Sequence, residues 1–208
     1  MRPRNLIYAL GIDFMKNCFS FENKNSAIFV QDIKTGNRDK VAANRGINSA
    51  PAWSPDGSSM AMTLSKDGNT EIYIMHLGSR TLRRITNNQA IDTEPNWSKD
   101  GKNLAFTSDR GGSPQIYEVT VRGEGKPRRL TFDGPYHARP RYSSDGNSIA
   151  MVTGQKGMYR IAVLDLRNGY YDILTKARLD ESPSFAPNDH MIIYTTTGAR
   201  GTTLAAVS

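Results

Sequence analysis

The sequence predicts an all-β fold, a β-propeller assembled from four-stranded antiparallel blades. Two observations predict it: a seven-residue motif occurs four times, and short apolar segments follow the copies in a constant order. The copies begin at Pro51, Pro95, Pro140 and Pro183, which are 44, 45 and 43 residues apart. A repeat of this length that encodes several strands is typical of propellers, in which each sheet covers the face of the next one.

The strands of one unit can be assigned in order from the second unit. Strand A carries the motif (51–57), strand B follows at 60–64, strand C at 72–75 and strand D at 84–86. The apolar segments are short and rich in β-branched and aromatic residues, which favours strands over helices. The Asp-Gly step that ends the motif predicts a tight A–B hairpin, because glycine accepts a positive φ. In the fourth copy we expect Asn188 and Asp189 to replace it, since both residue types tolerate that conformation.

Strand B has large apolar residues on one face and an alanine on the other, which predicts a sheet that is covered on both faces. The alanines are Ala61, Ala105 and Ala150.

The array is irregular at both ends of the sequence. We assign residues 1–18 to an atypical N-terminal segment and 19–208 to the propeller, as about 4.7 blades. The expected units are 19–44 (partial), 45–88, 89–133, 134–177 and 178–208 (partial, without strand D). Because neither end supplies the strand that the other lacks, we expect a piece of a larger propeller or a shortened gene product.

Composition excludes several classes of function. The single cysteine, Cys18, rules out an intrachain disulfide and a cysteine-rich metal site. The formal charge is +7, but the lysines and arginines are scattered, which argues against nucleic-acid binding and favours an ordinary solvated surface. No apolar stretch approaches the roughly 20 residues of a membrane-spanning helix, and residues 1–10 make a poor signal peptide.

No motif for a catalytic nucleophile, a nucleotide or a metal is found in the sequence. The propeller lid of prolyl-oligopeptidase-type peptidases uses similar repeats, but its nucleophile lies in a separate hydrolase domain that this chain has no room for. We therefore predict a protein that is not an enzyme and has no cofactor, with a divalent ion in the channel left open. The alternative is such a lid-type domain or another peptide-binding propeller.

The repeats resemble those of the TolB family. The motif Pro-x-aromatic-Ser-x-Asp-Gly followed by an apolar-Ala-apolar strand is similar to the family's repeat, and so are the segments 48–57, 92–97, 104–109, 114–117 and 179–183, in the same order. The resemblance implies a six-bladed propeller in the periplasm that binds the lipoprotein Pal, with other Tol proteins as further partners. It also implies a role in envelope integrity and in outer-membrane constriction during division. We expect a monomer that meets membranes only through its partners.

Geometry and resemblance together point to one face for the partner. In a four-stranded meander the B–C and D–A loops lie on one face, opposite the Asp-Gly hairpins, and long loops on a rigid scaffold tend to carry binding residues. The resemblance implies that Pal docks beside the channel there, just before the motif proline. The predicted contact residues are Asn48, Ala50, Thr93, Glu94, His137, Arg139, Asp180 and Glu181.

Overall fold

The computed structural model describes the backbone of residues 7–10, 16–23, 25–122, 124–199 and 201–208, and the side chains within those ranges from residue 26 onward. All regular structure in this part is β-strand, arranged in five antiparallel sheets that follow one another along the chain. Every sheet is a meander, in which each strand pairs with the one before it. The all-β propeller fold predicted from the repeats is confirmed.

The strands of the first three sheets are β1 (Ile7–Leu10), β2 (Lys16–Asn23), β3 (Asn25–Asp32), β4 (Arg38–Ala42); β5 (Asn48–Trp53), β6 (Ser59–Leu64), β7 (Glu71–His76), β8 (Leu82–Arg84); and β9 (Asp92–Trp97), β10 (Asn103–Ser108), β11 (Gln115–Thr120), β12 (Arg128–Arg129). Those of the last two are β13 (His137–Tyr142), β14 (Ser148–Gln155), β15 (Met158–Asp165), β16 (Tyr171–Ile173); and β17 (Asp180–Phe185), β18 (Ile192–Gly198), β19 (Gly201–Val207).

The A–B hairpins have the turn that the motif predicts. Ser54 Oγ donates to Asp56 Oδ1 at 2.6 Å and accepts from the amide of Ser59 at 2.9 Å, while Gly57 has φ of 70°. The hydrogen bond from the Ser54 hydroxyl is the main reason that the pKa of Asp56 is lowered. In the last sheet Asp189 takes the left-handed position, with φ of 56°, as expected.

Each inner sheet is packed on both faces. Met60, Met62 and Leu64 of β6 contact a buried cluster with Ile28 of the first sheet. Ala61 of the same strand lies in a second cluster, against residues of the third sheet. Alternate side chains of one strand point to opposite faces, so these contacts confirm the two-sided covering.

The number of strands agrees with the prediction at one end of the array and differs from it at the other. The last sheet has three strands, β17 to β19. The first sheet has four, because β1 (Ile7–Leu10) pairs with β2 from Ile7↔Ser20 to Leu10↔Asn17. Antiparallel pairing uses backbone hydrogen bonds, so a strand can form without the motif. The first sheet therefore includes residues 7–10 and 16–18, which the sequence pattern assigns to the atypical segment, where it predicts no strand A.

Candidate protein-binding face

The loops that enter strand A lie together on one face of the molecule. The fourth strand of each sheet (β4, β8, β12 or β16) ends on this face. A loop then leads from it to the first strand of the next sheet (β5, β9, β13 or β17), while the Asp-Gly turns lie at the opposite end of the strands. We call the first surface the mouth face, comprising segments 44–50, 87–94, 133–139 and 176–182. The opposite surface, with the A–B and C–D turns, is the hairpin face.

A left-handed residue stands before the motif proline in every sheet from the second to the fifth. The φ angles are 48° at Ala50, 57° at Glu94, 57° at Arg139 and 56° at Ser182. Strand A is bulged at the same point in all four sheets. Positive φ is uncommon outside glycine and costs free energy, and such strain is often found at functional sites.

Hydrogen bonds between neighbouring sheets hold two of these strained positions. The amide of Glu94 donates to Thr63 Oγ1 at 3.3 Å, and the amide of Arg139 donates to Thr107 Oγ1 at 3.0 Å. In each case a threonine of strand B accepts from the left-handed residue of the next sheet. The bulges are therefore tied to their neighbours, which makes this part of the mouth face a defined surface.

The side chains of three adjacent sheets meet in one ionic cluster on the mouth face. Arg139 Nε donates to Glu94 Oε1 at 3.0 Å, and Arg139 Nη1 lies 3.0 Å from Ser182 Oγ and 3.5 Å from Glu181 Oε2. Thr107 Oγ1 donates to Glu94 Oε2 at 3.0 Å. The side chains of Glu94, Arg139 and Glu181 keep 25%, 32% and 41% of their accessible surface. The cluster can therefore be reached from solvent and offers charges of both signs.

A further arginine lies close to this cluster. Arg141 is two residues after Arg139 in β13, and its Nη1 donates to the carbonyl oxygen of Pro140 at 2.7 Å. Burial lowers the pKa of Arg141, while the nearby Glu94 carboxylate opposes that shift. Because a guanidinium stays protonated in proteins, Arg141 adds a positive charge beside Glu94 and Arg139.

Three of the eight predicted contact residues are buried. Asn48, His137 and Asp180 occupy the same place, the first residue of strand A, and none of them is exposed to solvent. Asn48 Nδ2 donates to the carbonyl oxygens of Asn44 (2.7 Å) and Gly46 (3.1 Å), so it shapes its own loop. The structure does not bring these three side chains to the surface where a partner would contact them.

His137 and Asp180 are enclosed in different ways. His137 Nε2 forms a hydrogen bond with the carbonyl oxygen of Asp133, and its ring meets Tyr171 edge-on with 5.0 Å between centroids. Burial lowers the pKa of His137. Neither carboxylate oxygen of Asp180 has a hydrogen-bond partner within the described part of the chain. Both residues therefore belong to the packing beneath the mouth face.

The lowered pKa of His137 predicts a loss of stability in mild acid. Since the folded state binds the proton less tightly than the unfolded state, falling pH favours unfolding once it passes the ordinary histidine pKa of about 6.5. We expect the urea midpoint to drop between pH 7.5 and pH 5.5, and to drop less in His137→Gln. An equal drop in both proteins would show that His137 is not the group responsible.

The other predicted residues lie at or near the surface. Ala50 is half-buried at the left-handed position, and the hydroxyl of Thr93 is 3.4 Å from that of Thr63. Ser182 and Thr107 were missed. Ser182 could have been found, because it precedes Pro183 just as Glu94 precedes Pro95; Thr107 gives no such signal, since it belongs to an ordinary strand B.

Among the described residues, no group of three or more His, Cys, Asp or Glu side chains is placed to hold a metal ion. No helix in that part of the chain is long and apolar enough to cross a membrane.

Comparison with known proteins gives close relatives. Residues 17–208 match the family model described as the TolB beta propeller domain. The chain is 56% identical over 189 residues to the Tol-Pal system protein TolB of Alkalilimnicola ehrlichii and 53% identical over 192 residues to that of Xylella fastidiosa. These matches cover 91% of this chain but only 44% and 43% of the relatives, so the chain spans less than half of their length.

Solved structures give the same result. The crystal structure of TolB from Acinetobacter baumannii aligns with a TM-score of 0.87 and 46% identity, over 93% of this chain and 49% of that one. More distant similarities include an oligogalacturonate lyase in complex with manganese, at 18% identity and a TM-score of 0.67. At that identity the likeness concerns the fold alone.

Proposed function

This chain belongs to the TolB β-propeller family, and from that premise we propose that it is a protein-binding scaffold of the Tol–Pal system. Its partner is the soluble domain of Pal, which docks on the mouth face beside the channel. The chain acts in the periplasm as a monomer, in envelope integrity and outer-membrane constriction during division, and other Tol proteins are further partners. It works by binding alone and catalyses no reaction.

The observation that carries the proposal is the ionic cluster on the mouth face. Glu94, Arg139, Glu181 and Ser182 come from three sheets, and their side chains are held by one another while part of their surface stays open. A preorganised, partly exposed set of charges of both signs suits recognition of a folded domain, because little order has to be gained on binding. The strained backbone at these positions supports the same interpretation.

The test is Glu94→Arg, with binding to the soluble domain of Pal measured by calorimetry. The change removes the acceptor of Arg139 Nε and adds a third positive charge beside Arg139 and Arg141, so we expect affinity to fall by roughly tenfold or more, which is about 1.4 kcal/mol. Unfolding should stay cooperative, but the melting temperature should fall, because Glu94 also accepts hydrogen bonds from Thr107 Oγ1 and from the amide of Arg139.

Glu124→Arg is the matched control, since Glu124 is exposed in a C–D turn on the hairpin face. We expect Glu124→Arg to bind Pal as tightly as the unchanged chain does. Unchanged affinity in Glu94→Arg would remove Glu94 from the site. A chain that melts cooperatively but does not bind Pal would refute the proposed function.

A further inference from the structure

The hairpin face has a cleft between the fourth and fifth sheets that the proposed function does not use. It has a volume of about 500 Å³, within the range of small-ligand sites. Its apolar floor comprises Val163, Leu174, Phe185 and Ile192, and Tyr170 and Met191 stand at its edge with 76% and 46% of their surface exposed. An apolar floor with an exposed aromatic ring is suited to bind a side chain from outside.

The charge of this cleft is opposite to that of the protein as a whole. Four aspartates line it and no lysine or arginine does: Asp145, Asp165, Asp172 and Asp189. Arg167 pairs with Asp165 at 2.6 Å, which leaves three carboxylates without a basic partner among the described residues. In a chain with a formal charge of +7 this is a local excess of negative charge.

Comparison with the other sheets shows that the cleft lacks an arginine. Strand register makes Arg83 of β8, Arg128 of β12 and Asp172 of β16 equivalent, because they pair with Ile74, Glu118 and Val163, which in turn pair with the three alanines of strand B. In the second and third sheets this place therefore holds an arginine, and in the fourth sheet an aspartate replaces it.

The equivalent arginines of the second and third sheets have partners within the protein. Arg83 Nη1 donates to the carbonyl oxygen of Arg122 at 3.1 Å, across to the third sheet, in a cleft that Asp56 and Asp100 also line. Arg128 pairs with Glu118 at 2.9 Å, and the hydroxyl of Tyr142 from the fourth sheet donates to the same carboxylate. Of these two arginines, Arg128 pairs with a carboxylate and Arg83 bonds to the backbone of the third sheet. The first sheet has an aspartate at this place, Asp39, and it pairs with Arg80 of the second sheet. No arginine of the described residues forms such a pair with Asp172.

Hydrogen bonds favour the charged form of two of the cleft carboxylates, those of Asp145 and Asp165. The hydrogen bond from the Ser143 hydroxyl is the main cause that lowers the pKa of Asp145 to about 2. Asp189 accepts from the amide and the hydroxyl of Ser144, so its carboxylate is fixed at the edge of the cleft. Asp172 is exposed, and its side chain forms no hydrogen bond or ion pair with another described residue. It is free to accept a donor from outside.

We propose that this cleft binds an arginine side chain of a partner polypeptide segment, whose guanidinium takes the place that Arg83 and Arg128 occupy in the equivalent clefts. Arginine fits better than lysine, because its planar group can stack on the exposed Tyr170 ring and direct several N–H donors at separate carboxylates. The apolar floor receives the stem and the neighbouring residues of the segment. This site lies on the face opposite the ionic cluster and does not depend on Pal binding.

The test uses the 208-residue chain and the peptide Leu-Arg-Leu-amide with a fluorophore on its N-terminal amine. The comparison peptide has citrulline in place of arginine, which keeps the shape of arginine but has no charge. Fluorescence anisotropy should show saturable binding of the arginine peptide. We expect the citrulline peptide to bind at least roughly tenfold more weakly. We also expect added salt to weaken binding of the arginine peptide.

The decisive variant is Asp172→Arg, which restores the residue found in the second and third sheets. It should weaken binding of the arginine peptide by roughly tenfold or more. Glu124→Arg makes the same change of charge on the same face outside the cleft and should have no effect. Asp172→Asn gives a smaller loss, and it replaces Asp172→Arg if circular dichroism shows that the latter is unfolded.

Other outcomes would overturn the proposal. They are no binding of the arginine peptide, equal binding of both peptides, or full binding by a folded Asp172→Arg. Pal binding provides an independent readout, since Asp172→Arg should retain it and Glu94→Arg should retain peptide binding. Failure of one site can therefore be distinguished from failure of the other.

Discussion

Replacing Phe106 with alanine is expected to lower the free energy of unfolding by about 3–5 kcal/mol. Phe106 is fully buried in β10, in a cluster that joins the third sheet to Ala61, Ile72 and Ile74 of the second. The truncation removes a large, fully buried side chain between these sheets and leaves a cavity, and the methyl groups of the alanines opposite are too short to fill it.

The measurement is a urea titration followed by the fluorescence of Trp53 and Trp97. Phe132→Ala is the matched control, since Phe132 is 71% exposed and its loss should cost within roughly 0.5 kcal/mol. If Phe106→Ala cost less than about 1 kcal/mol, well under the usual range for a buried phenylalanine, the second and third sheets would not pack as described.

The sheet architecture could be predicted because its causes are local. The spacing of the four prolines gave the period of the blades, and the Asp-Gly steps gave the A–B turns. The alternation of Ala61 between Met60 and Met62 predicted a sheet covered on both faces, since side-chain direction in a strand follows from sequence alone.

Strand β1 could not be predicted in this way. Residues 7–10 contain no copy of the motif, and their place beside β2 depends on backbone pairing. A strand that extends a sheet already formed needs only an extended segment within reach, so its own sequence carries a weak signal.

The mouth face could be predicted only in part. Its position follows from the meander, and Glu94, Arg139 and Glu181 were expected there. Their cluster was not, because Glu94 and Arg139 are 45 residues apart and meet only when neighbouring sheets pack. The burial of Asn48, His137 and Asp180 was also missed, because the direction of the first residue of strand A depends on how the preceding loop folds over it.

Removal of the Arg110 side chain is the second change with a large expected effect. Asp92 begins β9 and is fully buried, and its Oδ2 accepts from Arg110 Nη2 at 2.6 Å. The guanidinium also lies over the rings of Phe106 and Tyr117, with 5.3 and 5.0 Å to their centroids. Arg110→Ala leaves a buried carboxylate without its counter-charge, which typically costs about 3–5 kcal/mol at neutral pH.

The dependence of this loss on pH identifies its cause. Burial already raises the pKa of Asp92 in the folded state, against hydrogen bonds from Ser108 and Arg110 that lower it. Without Arg110 the folded pKa rises further, so the carboxyl group stabilises the fold below its unfolded pKa and loses that contribution as pH rises through the folded value. The difference in unfolding free energy between Arg110→Ala and the unchanged chain should therefore be smaller at pH 5 than at pH 7.

Two further variants separate the buried charge from the loss of packing. Adding Asp92→Asn to Arg110→Ala should restore much of the stability at pH 7, because the uncompensated charge is gone while the lost ring contacts remain lost. Arg178→Ala removes an exposed arginine of the mouth face and should change stability little. A loss that is the same at both pH values and is not relieved by Asp92→Asn would mean that Arg110 acts through its contacts with Phe106 and Tyr117. In that case the packing of Arg110 on the two rings, and not its ion pair with Asp92, would stabilise the fold.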